Sequence, residues 1–360
     1  MRVMRLPTFF GRWGLLAVLS ASAAVALSSC TAATSTARPG TSSETIAAPG
    51  QTTTTTLPVP VDINGSTVGG QYGFLGTAQR VVVTPVPPGR VLGPFPVAGT
   101  AAYLHLERIA FRRFGSGPDL LLVGGEDMSM SYWDPGLLSL LAQHFRVTVF
   151  DLPGTGYSSP ASSPVTLRWW ADETAGLVAS LGLKRPMVLG WGLGGDVALE
   201  LAETHPSVLG SLVLADTPAG GPDGAPSPAR VAAGMEKRWL STYGLASLWF
   251  STAHPLARLT WLRAMSATLP DVLTEQARSE QFAVARDIEA SDVLWAHLGS
   301  VGVPTLVVFG SNDQVVPPSN SGVLAAGIRG ARTLELVGGD YAAIFEYEPQ
   351  LVAALQSLAG

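Results

Sequence analysis

The stretch from Pro186 to Thr204 restricts the folds open to this chain more than any other. Pro186-Met187-Val188-Leu189 is a short apolar run of the kind that forms a buried strand. Gly190-Trp191-Gly192-Leu193-Gly194-Gly195 is a glycine-dense turn, and an apolar-periodic helix follows through Thr204. A strand that passes through so few residues into a helix holds its central residue in a conformation that a Cβ disfavours. The neighbours, Gly190 and Gly194, stand where the turn has no room for a side chain.

The chain around this stretch alternates strand and helix. Arg80–Val83 is a candidate strand in a Gly/Pro/Val-rich segment whose remainder runs along the outside of the main domain, and His105–Phe114 reads as an edge strand. Asp119–Val123 is an apolar run suited to a central parallel strand, and Gly124-Gly125-Glu126-Asp127 forms the turn after it. A helix over Leu137–His144 and a strand over Arg146–Phe150 come next. Leu167, Trp170, Ala171, Thr174, Leu177, Val178 and Leu181 share one helical face. Ser211–Ala215 is a strand. A Pro/Gly-rich break at 218–229 opens a stretch with helical patterns only, over Trp239–Phe250, Pro255–Ala267 and Pro270–Ile288. Alternation then resumes with strands at Pro304–Gly310 and Arg332–Leu336 and helices at Asn320–Gly330 and Pro349–Leu358. Such alternation predicts a mostly parallel sheet with helices on both faces and one helical insertion.

The N-terminus reads differently. Arg2, Arg5 and Arg12 precede an apolar stretch running to Leu27, which is the layout of a secretory signal peptide over 1–29. The stretch ends in Leu27-Ser28-Ser29-Cys30, which resembles a bacterial lipobox. The resemblance implies acylation of Cys30, the only cysteine, and an anchor on the outer face of the bacterial cell membrane. Residues 30–60 are rich in Thr, Ser, Ala, Pro and Gly and predict a flexible tether with a reach of about 30 Å. The remaining boundaries are an extension over 61–102, a core over 103–217 and 301–360, and a helical cap over 218–300. A chain beginning at Cys30 has 19 basic and 27 acidic side chains, a net of −8, which argues against nucleic acid and against an electrostatic grip on anionic lipid.

Residues 103 to 360 together resemble the α/β-hydrolase fold with a helical cap. The glycine turn after the first central strand, Phe150-Asp151-Leu152-Pro153-Gly154-Thr155-Gly156, the 190–194 turn and Phe309-Gly310-Ser311-Asn312-Asp313 carry the resemblance. In that family the 190–194 turn is a nucleophile elbow, G-x-S-x-G. The resemblance places the nucleophile at Gly192, the acid at Asp313 and the histidine at Tyr341, so two of three catalytic side chains are replaced. It assigns the oxyanion-hole N–H groups to Leu193 and to the loop at Glu126, and makes Trp191 and Asp127 pocket neighbours. A phenol with an ordinary pKa of about 10 is a poor general base near pH 7.

These replacements lead to the expectation of a membrane-anchored, non-catalytic homologue. Its mainly apolar pocket, floored and enlarged by Gly192, would take a small apolar or lipidic ligand or an envelope partner. The alternative is an esterase-like hydrolase with a rewired catalytic constellation, for which His254 and His297 are the histidines available near the cap. No cofactor is expected, and no residue cluster has metal-ligand spacing. The oligomeric state is open.

Overall fold

The computed structural model describes residues 71–75, 81–82, 109–126, 128–156, 158–161, 164–236, 242–267, 274–291 and 293–360. The signal peptide, Cys30, the tether, His105 and Asp127 lie outside the described residues. In chain order the elements are β1 Gln71–Leu75, β2 Val81–Val82, β3 Ala110–Gly115, β4 Asp119–Val123, α1 Pro135–Ala142, β5 Arg146–Phe150, α2 Leu167–Ser180, β6 Met187–Trp191, α3 Leu193–Thr204 and β7 Ser211–Ala215. The inserted helices α4 Ala229–Glu236, α5 Thr242–Trp249, α6 Pro255–Ala267, α7 Glu275–Ala290 and α8 Val293–His297 follow. The chain closes with β8 Thr305–Gly310, α9 Ser319–Gly327, β9 Arg332–Leu336, α10 Ala343–Glu346 and α11 Glu348–Ala359.

One sheet has the order β2-β1-β3-β5-β4-β6-β7-β8-β9. Strands β5 to β9 and β4 run parallel, while β1, β2 and β3 pair antiparallel. The expectation that the 105–114 strand forms an edge is corrected, because β3 is paired on one side with β5 and on the other with β1. The 61–102 extension supplies the additional strands: β2 lies within the candidate strand Arg80–Val83, whereas β1 was not expected.

The central strands β4, β6 and β7 are buried throughout, as continuous apolar runs require when helices cover both faces. Alternate residues feed two cores. Leu120 and Leu122 join Trp133, Leu137 and Leu355 on one side, and Leu121 and Val123 join Trp170, Leu177 and Val197 on the other. Parallel register aligns the strand ends, with Val123 opposite Gly190, Trp191 opposite Ala215, and Ala215 opposite Val308. The loops after β4, β6, β7, β8 and β9 therefore converge at the carboxyl edge, where open α/β sheets hold their ligands.

Helix starts α1 and α11 meet in a pair of acids. Asp134 caps α1, its Oδ1 accepting from Gly136 N (2.6 Å) and Leu137 N (3.2 Å). Burial, and then the charge of Asp134, lift the Glu348 carboxyl to about 8. A group whose folded-state pKa is raised stabilises the fold below its unfolded value and loses that contribution as pH climbs through the folded one. Glu348→Gln is therefore expected to reduce the fall in thermal midpoint between pH 5 and pH 8, measured by circular dichroism. An unchanged pH dependence would remove this pair from the account.

Candidate active site

The site is built from the elbow outward. Gly192 has φ 54° and ψ −124°, a conformation that glycine adopts without strain and other residues do not. Its N–H donates to Ala215 O (2.9 Å), and its carbonyl accepts from Gly195 N (2.8 Å), which starts α3 immediately. A Cβ on Gly190 would run into the Gly194 carbonyl, and one on Gly194 into the Val123 and Gly124 carbonyls. The two flanking glycines thus let β6, α3 and the end of β4 approach at backbone distance.

Tyr341 stands directly over this turn. A Cβ at position 192 would collide with Tyr341 Oη and lie 3.1 Å from Cζ. A Cβ on Gly125 would be 3.3 Å from the same Oη, so the phenol oxygen bridges the elbow and the loop after β4. The expected enlargement of the pocket floor at Gly192 is corrected: the volume left by a missing side chain is filled by the phenol. Trp191 fixes the ring from two directions. It stacks on Tyr341 with centroids 4.7 Å apart, and its Nε1–H donates to Tyr341 O (3.0 Å). Trp249, at the end of α5, lies 5.4 Å from the Trp191 ring and 5.8 Å from that of Tyr341.

The electrostatics keep this phenol neutral. Burial pushes its pKa well above the usual value for tyrosine, and the negative charges of Glu126, Asp313, Asp216 and Asp196 push the same way. A phenol in this state donates a hydrogen bond and does not ionise near pH 7.

Asp313 is buried, and its Oδ1 accepts from Val315 N (2.7 Å) and Val316 N (3.0 Å). Burial lifts it to about 8 despite those donors. Asp216, at the end of β7, was not singled out in the sequence. It has φ 44°, its Oδ1 accepts from Gly310 N (2.9 Å), and burial and then Asp313 raise its carboxyl. Oδ2 of each acid is buried without an N–H or hydroxyl donor, so the pair holds a proton at neutral pH. The signal available was position: an acid directly after a buried central strand sits at the ligand-binding edge of a parallel sheet. Asp196, in the first turn of α3, is a second missed acid. It is fully buried and raised well above the ordinary range by burial, then by Glu126 and Glu289.

The remaining expected residues fall as follows. Leu193 begins α3, where a helix N–H has no partner in its own ladder. Glu126 is half-buried beside the phenol. His254 Nε2 pairs with Tyr347 Oη (2.9 Å), away from the elbow, and His297 acts on Glu200 in the second half of α3. Neither histidine joins Gly192. Among the described residues no group of His, Cys, Asp and Glu could hold a metal ion. A cavity of about 420 Å³ opens beside the loop after β7, lined by Pro218, Gly221, Arg286, Glu289 and Asn320.

A family model described as alpha/beta hydrolase fold matches residues 118–348. The pimeloyl-[acyl-carrier protein] methyl ester esterase of Aeromonas hydrophila is 28% identical over 264 residues, covering 70% of this chain and 99% of the relative. The enzyme of that name from Xanthomonas oryzae is 30% identical, covering 67% and 95%. A solved hydrolase of Pseudomonas aeruginosa aligns with TM-score 0.58 and 29% identity over 74% of this chain and 97% of its own. An esterase from a Rhodococcus species shares the fold, with TM-score 0.61 at 21% identity over 70% and 94%.

These relatives overturn the expectation of a non-catalytic binding protein, since they are esterases over nearly their whole length. The physical reason is that the absence of a hydroxyl at 192 and of an imidazole at 341 removes one route to ester cleavage. It leaves the backbone N–H groups and the acids of the site in place.

Gly192 and Tyr341 form one steric unit, so Gly192→Ser alone is expected to destabilise the fold by about 1–3 kcal/mol through overpacking. Adding Tyr341→Ala should recover part of that loss, read as a coupling term in denaturant unfolding. Additive effects would show that the two positions do not share the volume. By its matched sequence and its architecture, the chain belongs to the α/β-hydrolase family.

Proposed function

We propose that this protein hydrolyses carboxylic esters with a rewired constellation at the elbow. The observation that carries the reading is the position of Tyr341 Oη over Gly192, where the family's attacking hydroxyl would stand. The esterase relatives supply the reaction class.

The phenol is a poor nucleophile here, because its raised pKa keeps it protonated. It is a good donor for the same reason. In the proposed reaction Tyr341 O–H and Leu193 N–H donate to the ester carbonyl oxygen as negative charge develops on it. Water attacks the carbonyl carbon, and its proton passes to the Glu126 carboxylate. Collapse of the tetrahedral adduct breaks the bond to the leaving oxygen, which takes that proton as the alcohol. The Asp216–Asp313 pair, with its retained proton, limits the negative charge behind the phenol.

Donors of this kind contribute about 10²-fold in kcat each. Tyr341→Phe is therefore expected to lower kcat on a panel of methyl and aryl esters by about that factor with little change in KM. Glu126→Gln should also lower kcat, by removing the group that takes the proton of the attacking water. A preparation free of contaminating esterases that turns over none of the panel, or that is indifferent to both changes, refutes the proposal.

A further inference from the structure

Helices α5 and α6 pack on one another and turn an aromatic inner side toward the elbow. Trp261 stacks edge-on against Trp249 (5.6 Å) and contacts Phe250 (5.6 Å), and its Nε1–H donates to Tyr132 O (3.0 Å). Trp261 and Met265, one turn apart, are buried on this side.

The opposite side is also apolar, and it is bare. Leu256, Leu259 and Arg263 follow i, i+3, i+7 spacing and so share a stripe along α6. Leu256 is 77% exposed, Leu259 45%, and Tyr243 of α5 61%. They are three of the five large hydrophobic side chains exposed among the described residues. Arg258 binds them together, its guanidinium lying 5.5 Å from the Tyr243 ring centroid with Nη2 donating to Tyr243 Oη (3.4 Å).

The charge on this part of the chain is opposite to that of the whole. From 229 to 267 the sequence carries Arg230, Lys237, Arg238, Arg258 and Arg263 against the single acid Glu236, in a chain with net charge −5. Neither α5 nor α6 contains a carboxylate. Exposed leucines and a tyrosine set among arginines, with acids excluded, are the composition of a face that lies in a lipid interface.

We infer that the outer face of the α5–α6 pair docks on an anionic lipid bilayer. Leu256, Leu259 and Tyr243 enter the headgroup region while Arg258 and Arg263 meet lipid phosphates. Docking there brings the Trp249 end of α5, and the elbow beneath it, close to the membrane surface. The inference concerns a surface and holds whether or not the site cleaves esters.

The test uses the full chain with Cys30→Ser, which leaves no native thiol, and with Leu259→Cys carrying an environment-sensitive nitrobenzoxadiazole label. A second chain carries the label at Ala179→Cys on α2, across the sheet. Vesicles containing phosphatidylglycerol are expected to shift the emission at 259 to the blue and leave that at 179 unchanged. Because the label reports its own position, lipid binding by the N-terminal stretch does not imitate this result. Arg258→Glu with Arg263→Glu should weaken the response at 259 at least about tenfold. Three results overturn the inference: no shift at 259 on vesicles, an equal shift on pure phosphatidylcholine, or a lipid-free shift that grows with protein concentration. The last would identify a second copy of the chain as the occupant.

Discussion

The site depends on a steric exclusion between one side chain and one backbone carbon. The Tyr341 phenol and a Cβ at position 192 cannot occupy the same space. Gly192 therefore serves two needs that the elbow combines: it accepts the positive φ, and it yields its volume to the ring. Trp191 makes the arrangement rigid, because the residue beside Gly192 both stacks on the phenol and hydrogen-bonds to its backbone. Glycine at 192 and tyrosine at 341 are in this sense one feature. Each is the condition for the other.

A second constraint is the concentration of acids around that phenol. Asp196, Asp216 and Asp313 are all buried and all raised, and the close pair Asp216–Asp313 lowers its cost by retaining a proton. In the usual arrangement the family's acid faces a histidine that becomes positively charged during turnover. Here no histidine joins Asp313 among the described residues, so the carboxyl finds its partner in another carboxyl. The protonated phenol follows from the same field, and that makes it a donor and not a base. Charge is also uneven at larger scale. The acids gather at the carboxyl edge of the sheet, whereas the exposed side of α5 and α6 has arginines and no acid.

Much of the fold was legible in the chain as written. The central strands are apolar runs, α3 follows a glycine turn, and α6 has the bounds that its periodicity predicts, because burial on one or both faces imposes a period on the side chains. The family follows from those signals taken together. β1 was not legible as the partner of β3, nor β2 as the partner of β1, since two short strands at a sheet edge bury too little to leave a pattern. The place of Asp216 at the ligand edge was legible from its position after a strand, but its pairing with Asp313 was not, because a single acid there looks the same whether it caps a turn or faces another acid across it.

The sequence alone determined that an α/β sheet with an inserted helical segment would form, and that position 192 would carry no side chain. Only the tertiary structure decided what stands there instead. It brought Tyr341 across from the loop after β9, joined Asp216 to Asp313 from neighbouring strand ends, and left Leu256 and Leu259 on the outside while Trp261 went in. The reason is range. Strand and helix follow from neighbours within a few residues, whereas the 192–341 and 216–313 meetings depend on strand order and register, which no local pattern encodes.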